Sequence, residues 1–159
     1  MYIHLVMKAK LQKGGLAGGL FPLVCACQNL RRLTRMVTRI YDQEMRGAGI
    51  EVGQFGLLTA LGILGEANQK KLSAGFAMDS TTLTRTLVLM QKEGWVLATP
   101  GKDRRERIFR LTEAGKRQLA AAQPYWEAAE RRFREVLGAA GWKEMQTTVA
   151  QITNAAAGA

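Results

Sequence analysis

Small hydroxyl side chains and one arginine cluster at the start of residues 79–94, a stretch with helical apolar spacing. Leu83, Leu87 and Met90 recur at positions i, i+4 and i+7, which predicts a helix with one buried face. The other side of that helix carries the residues that could form hydrogen bonds with a ligand: Ser80, Thr81, Thr84 and Arg85. Hydroxyls can bond base edges or phosphates, and arginine can bond guanine bidentately. Because threonine is a weak helix former, the presence of several threonines in one helix indicates that they have a role other than folding.

A second group of candidate residues is the run of cations in the loop GKDRRER, residues 101–107. Short strands are predicted on either side of it, at residues 95–99 and 107–111. The loop supplies Lys102, Arg104, Arg105 and Arg107. A narrow minor groove of DNA attracts arginine through its negative potential, so we interpret Arg104 and Arg105 as the tip that would enter it. The alternative is a solvated hairpin tip, which is what most charge runs are.

The order helix, strand, basic loop, strand, helix is typical of a winged helix-turn-helix, a fold that mostly reads duplex DNA. We predict a mainly α protein with a small β-hairpin wing and flanking helical dimerisation elements. The predicted parts are a flexible N-terminal arm (1–20), an N-terminal dimerisation helix (21–47), a DNA-binding domain (48–113) and C-terminal dimerisation helices (114–159). Asn68 and Asp79 are predicted N-caps, and Pro124 is predicted to kink the long C-terminal helix.

Three apolar stripes with helical spacing are predicted to face inward or across a dimer interface. The first runs along the N-terminal helix and comprises Leu23, Cys27, Leu30, Thr34, Val37 and Tyr41. The second comprises Leu119, Ala122, Trp126, Ala129, Phe133 and Val136, and the third Trp142, Met145, Val149 and Ile152. The alternative is an intrachain core. We favour dimerisation, because these helices exceed what one small domain can shelter.

Composition narrows the class of protein. The chain has 159 residues, 47% of them hydrophobic, and a formal net charge of +10. Such a charge favours nucleic acid as the partner, although many basic proteins bind none. Cys25 and Cys27 are too few for a disulfide framework, and reduced thiols in a cytoplasmic protein are the simpler interpretation. We expect no signal peptide, no membrane span, no cofactor and no metal. An enzyme is not expected, since the single histidine, His4, lies in the arm and no nucleophile–base pair is visible.

Four segments resemble the MarR-type (multiple-antibiotic-resistance) transcriptional regulators, in order and spacing, over about residues 25 to 118. They are NLRRLTRMVTRIYDQEMR, VGQFGLLTAL, LSAGFAMDSTTLTRTLVLMQKEGWV and DRRERIFRLTEAG. The resemblance implies a homodimer that binds a pseudo-palindromic DNA operator, usually as a repressor released by a small aromatic or phenolic effector or by oxidation. It also implies that residues 80–85 enter the major groove and that Arg104 or Arg105 enters the minor groove.

The candidate effector or redox residues lie on the first helix: Cys27, Arg31, Arg35 and Tyr41. One branch of the resembled family senses organic hydroperoxides through a first-helix cysteine, followed by a Thr-Arg pair and a tyrosine. Cys27 stands in that relation to Thr38, Arg39 and Tyr41, but Arg31 replaces a second expected tyrosine. Two alternatives remain open: an arginine that holds the carboxylate of an effector, and a purely structural cysteine.

The sequence therefore predicts a DNA-binding transcriptional regulator controlled by a small molecule. A thiol redox regulator acting through Cys27 is one alternative. A helical protein-interaction module that keeps the winged fold without binding DNA is another, because fold does not determine function.

Overall fold

The computed structural model describes residues 25–103 and 106–157. The chain divides into two compact units, one ending at Met36 and the other beginning at Val37. The helices are α1 (Ala26–Met45), α2 (Val52–Leu64), α3 (Gln69–Phe76), α4 (Ser80–Lys92) and α5 (Glu113–Ala157), with a 3-10 turn at Arg46–Ala48. The strands are β1 (Glu66–Asn68), β2 (Val96–Pro100) and β3 (Arg107–Leu111). The mainly helical fold with a small sheet, predicted from the sequence, is confirmed.

The sheet differs from the predicted two-stranded hairpin, since the described residues form three antiparallel strands in the order β1-β3-β2. The additional strand β1 pairs Ala67 with Phe109, and both side chains are buried. Pro100, which directly follows the predicted strand 95–99, is the last residue of β2 and stands opposite Arg107. Proline is tolerated there because β2 is an edge strand, where a missing N–H breaks no interior ladder.

The second unit, which starts at Val37, has its main core beneath α4. Leu83, Leu87 and Met90 are almost completely buried, as predicted. They pack with Phe55, Leu58 and Leu61 of α2. The ring of Phe55 also stacks on Trp126 of α5, with ring centroids 5.8 Å apart. The core therefore holds α4 by one face and leaves its other face in solvent.

Helix α5 breaks at Gly138, whereas the sequence predicts a kink at Pro124. Pro124 lies inside the helix, and Gly138 is the residue with non-helical dihedrals, φ 66° and ψ 170°. This combination is essentially restricted to glycine. Beyond the break, the ring of Trp142 packs edge-on against Phe133 at 6.2 Å. A second core cluster around Tyr41, Ala129 and Phe133 forms here.

Several apolar residues predicted to face inward are exposed in the single chain. On α5 they are Val136 (71% exposed), Val149 (56%) and Ile152 (49%). In the first unit the described residues are 25–36, and Cys27, Leu30 and Thr34 are exposed along α1. Leu23 and the predicted N-terminal arm lie outside the described residues. These exposed positions of the predicted stripes are therefore not part of an intrachain core.

No single helix in the described part of the chain is long and apolar enough to cross a membrane. Ala26–Ala48 and Val52–Leu64 pass that test only together, as a pair bent by 73°.

A close approach between Gly115 and the carbonyl of Trp95 leads to a stability prediction. A Cβ added at Gly115 would lie 2.0 Å from the Trp95 oxygen, a backbone atom that also accepts a hydrogen bond from the Thr112 N–H. We expect Gly115→Ala to lower the free energy of unfolding by about 1–3 kcal/mol or more, because backbone has to move. The matched control is Gly53→Ala, whose Cβ meets nothing within 4 Å and should change stability by no more than about 1 kcal/mol. Urea unfolding measures both, and equal stability of the two variants would contradict the prediction.

Candidate nucleic-acid interface

The first turn of α4 is held by Asp79. Its carboxylate accepts hydrogen bonds from the Thr82 N–H at 2.9 Å and the Thr82 hydroxyl at 2.6 Å. These bonds lower the pKa of Asp79, the side-chain hydroxyl contributing most. The predicted N-cap is therefore confirmed. The turn that leads into α4 is closed by Ser73, whose hydroxyl donates to the Met78 carbonyl at 2.5 Å.

The four predicted reading residues of α4 are all exposed, but they fall into two groups. Within the described residues, the side chains of Ser80, Thr81 and Arg85 have no hydrogen-bond partner. Thr81 and Arg85 lie one helical turn apart and share a face. Three polar side chains with unused hydrogen-bond donors therefore lie on the solvent-exposed side of α4.

Thr84, the fourth reading residue, is already hydrogen-bonded. Its hydroxyl lies 2.6 Å from the Ser80 carbonyl oxygen and 2.7 Å from the side-chain nitrogen of Gln69. Gln69 is the first residue of α3, and no pattern in the sequence predicts a role for it. Its signal in the sequence is only its position directly after the N-cap Asn68.

The base of the wing is closed by Glu106. Its carbonyl accepts from the Gly101 N–H at 2.8 Å, and its own N–H donates to the Asp103 carbonyl at 2.9 Å. The Glu106 carboxylate also accepts a short hydrogen bond from the amide of Asn68. Because Asn68 caps α3 as well, accepting from the Lys71 N–H at 2.7 Å, one side chain links the wing to the helix-turn-helix.

The predicted cations of the wing are partly described. Lys102 and Arg107 are exposed, Arg107 being the first residue of β3. Arg104 and Arg105, the predicted tip, lie outside the described residues. The hydrogen bond between Glu106 and Asp103 brackets these two positions in the sequence.

The first unit contains three of the candidate effector or redox residues. Cys27, Arg31 and Arg35 line one open face of α1 together with Leu30 and Thr34. All five side chains are exposed within the described residues. The face combines a thiol, two guanidinium groups and a small apolar patch.

Tyr41, the fourth candidate, belongs to the core of the second unit. It is buried, and its hydroxyl donates to Glu130 at 2.5 Å. Burial and this hydrogen bond raise its pKa far above the usual range for tyrosine. Glu130 also pairs with Arg134 at 3.0 Å, and that guanidinium stacks on Trp142 at 4.5 Å. These contacts give Tyr41 a packing role across the Gly138 break.

The chain is similar to known transcriptional regulators. The chain is 29% identical to the transcriptional regulator MosR of M. tuberculosis, solved in complex with DNA, over 84% of this chain and 97% of that one, with a TM-score of 0.75. It is 24% identical to YwoH of Bacillus subtilis, an HTH-type transcriptional regulator, over 56% of this chain and 65% of the relative. No protein-family model matches the sequence.

Two further solved structures share the fold. AbsC, a MarR family transcriptional regulator from Streptomyces coelicolor, is 19% identical over 88% of this chain and 99% of that one, with a TM-score of 0.72. A mutant of MarR from E. coli complexed with operator DNA is 20% identical over 83% of this chain and 99% of that one, at a TM-score of 0.71. The predicted resemblance to MarR-type regulators is confirmed, and with it the prediction that the chain is not an enzyme.

Asp79 provides a pH-dependent prediction. Because folding lowers its pKa, its capping contribution is complete above the ordinary carboxyl pKa of 3.8 and is lost as pH falls through the lower folded value. We expect Asp79→Ala to be less stable than wild type at pH 7, with the difference shrinking as pH drops below 4. Asp79→Asn keeps an acceptor without titrating, so it should retain most of the stability and lose this pH dependence. Thermal melting from pH 7 to pH 2.5 measures all three, and a constant gap between wild type and Asp79→Ala would contradict the assignment.

Proposed function

We propose that this chain, which shares the fold of the MarR-type regulators, is a sequence-specific DNA-binding transcriptional regulator of the cytoplasm. The observation that carries the proposal is the solvent face of α4. The side chains of Ser80, Thr81 and Arg85 stand there without a hydrogen-bond partner in the described structure, on a helix held by its buried face. Such a face fits the major groove, where hydroxyls and arginine bond base edges.

The wing supports the same function through charge. Lys102 and Arg107 flank its tip, and Arg104 and Arg105 complete the cationic run. Cations that neutralise phosphates release bound counterions, so affinity falls steeply with salt. In this proposal the wing arginines enter the minor groove while α4 occupies the major groove beside it.

We further infer that the working form is a homodimer on a pseudo-palindromic operator. The apolar positions Val136, Val149 and Ile152 are exposed in the single chain, and a second copy would cover them. Two lobes on one duplex read half-sites about one helical turn apart. The regulator would act as a repressor, and a small aromatic or phenolic effector would favour a lobe spacing that misfits the half-sites.

The first test of DNA binding uses substitutions in the wing. On a duplex selected from random sequences, we expect wild type to lose about 10³–10⁵ in affinity between 50 and 200 mM salt if the dimer contacts about 6–10 phosphates. Arg104→Ala plus Arg105→Ala should bind much more weakly and with a shallower salt slope, while melting at the wild-type temperature. Fluorescence anisotropy measures affinity, and sedimentation of the complex gives the number of chains per duplex.

The matched control removes two exposed arginines of α5, Arg117→Ala plus Arg131→Ala, which lowers the net charge equally. Equal affinity of wild type and the wing variant would refute the wing assignment. Salt-insensitive binding, or no binding, by wild type would instead favour the protein-interaction module.

A redox switch at Cys27 is the second candidate mode of regulation, supported by the exposed face it shares with Arg31 and Arg35. The thiolate is the form of cysteine that attacks peroxide, and the exposed position of Cys27 leaves its sulfur accessible to one. The oxygen of the peroxide would be transferred to sulfur, giving a sulfenic acid and an alcohol, and the added polar group would bias the lobes apart.

This candidate predicts that an organic hydroperoxide releases DNA from wild type and from Cys25→Ser but not from Cys27→Ser. Anisotropy before and after peroxide, with recovery after a thiol reductant, measures the release. Retention of DNA by all three proteins would leave the reversible small-molecule effector as the account of regulation.

A further inference from the structure

The polar contacts at the start of α4 form a closed triangle. The Ser80 carbonyl oxygen lies 2.6 Å from the Thr84 hydroxyl and 3.3 Å from the side-chain nitrogen of Gln69. That nitrogen also lies 2.7 Å from the Thr84 hydroxyl oxygen. Because a carbonyl oxygen only accepts hydrogen bonds, both neighbours of the Ser80 oxygen have to donate to it. The Gln69 amide therefore turns its nitrogen inward, and the Thr84 proton points at Ser80.

The triangle determines what Thr84 can still do. A hydroxyl has one proton to donate and two lone pairs that accept. The proton is engaged by Ser80 and one lone pair by Gln69. One lone pair of this exposed side chain remains unengaged. Thr84 can therefore accept a hydrogen bond from a ligand but has no proton to give.

The neighbouring residues lack this restriction. The side chains of Thr81 and Arg85 have no hydrogen-bond partner within the described structure, so their side-chain donors remain available. The face of α4 is consequently divided into residues that can donate and one residue that can only accept. In the major groove, adenine and cytosine present an amino donor, whereas guanine and thymine present acceptors.

We propose that Gln69 is a positioning residue for base reading, because it holds Thr84 as an acceptor that selects an adenine or cytosine amino group. This inference rests on the proposed function, since it requires that α4 lie in the major groove. Gln69 acts from α3 through its hydrogen bond to Thr84. Its amide also bonds the Ser80 carbonyl, so it sets the direction of the remaining lone pair relative to the first turn of α4.

The test compares base preferences of variants selected against random duplexes. Gln69→Leu removes the amide donor at nearly constant size, and Thr84→Val removes the acceptor while keeping a methyl group. At one base-pair position, wild type should disfavour guanine or thymine by about 5-fold or more, within the usual cost of a mismatch. Both variants should reduce that preference to less than about 2-fold, at the same position. Thr84→Ser, which keeps the hydroxyl, should retain it.

Two measurements separate a reading role from a structural one. The double variant Gln69→Leu plus Thr84→Val should lose no more preference than either single variant, because both remove one interaction. The salt slope should stay at the wild-type value, since phosphate contacts are untouched. The control Gln123→Leu replaces an exposed glutamine whose amide bonds Glu127 on its own helix, and it should leave the preference unchanged.

The outcomes distinguish this inference from the function on which it rests. A wild-type preference profile in Gln69→Leu, or a change at a different base pair from that of Thr84→Val, would overturn the positioning role while DNA binding stands. If Gln69→Leu does not fold, Thr84→Val and Thr84→Ser decide whether an acceptor is read there. Absence of salt-sensitive duplex binding by wild type would overturn both proposals.

Discussion

Burial of one face of α4 is the constraint on which the rest of this structure depends. Leu83, Leu87 and Met90 are inserted into a core shared with α2, so rotation of α4 about its axis would expose apolar surface. The direction of the opposite face is thereby determined. Every polar group displayed there, including the unpaired Thr81 and Arg85, inherits its position from apolar packing on the far side of the helix. Packing of the core thus determines the direction in which the proposed reading surface faces.

Local patterns made most of the helices predictable, and long-range pairing made one strand unpredictable. The spacing of apolar residues and the N-caps Asn68 and Asp79 depend only on residues that are close together in the sequence. Strand β1 has three residues, too few for an alternating pattern, and it exists because β3 pairs with it from far along the sequence. Proline is compatible with the helical φ, so Pro124 lies inside α5 and only omits one N–H. Gly138 instead adopts dihedrals outside the helical region, and α5 breaks there. Proline is the stronger helix-breaking signal in the sequence, but the helix breaks at the glycine.

The same contrast separates the parts of the candidate site. Ser80, Thr81 and Arg85 could be selected from the sequence because their types and spacing on one helix already indicate hydrogen bonding to nucleic acid. Gln69 and Glu106 could not, because their importance comes from partners on other elements: Thr84 on α4 for one, Asn68 for the other. For Tyr41, the family-like pattern predicts a sensing role, which stays a prediction. The structure adds what the pattern did not indicate, namely that Tyr41 is buried and donates a hydrogen bond to Glu130.

The pairing of β1 with β3 also has a consequence for the order of folding. Glu66 and Arg110 stand opposite each other although they are 44 positions apart in sequence, and α3, α4 and β2 all lie inside the loop they close. Closing such a loop costs chain entropy before the contact returns any free energy, which places sheet completion late in folding. Loss of the β1–β3 ladder would release the helix-turn-helix and the wing together. We therefore expect the proposed reading surface to open as one cooperative unit, with simultaneous amide exchange in α3, α4 and the sheet.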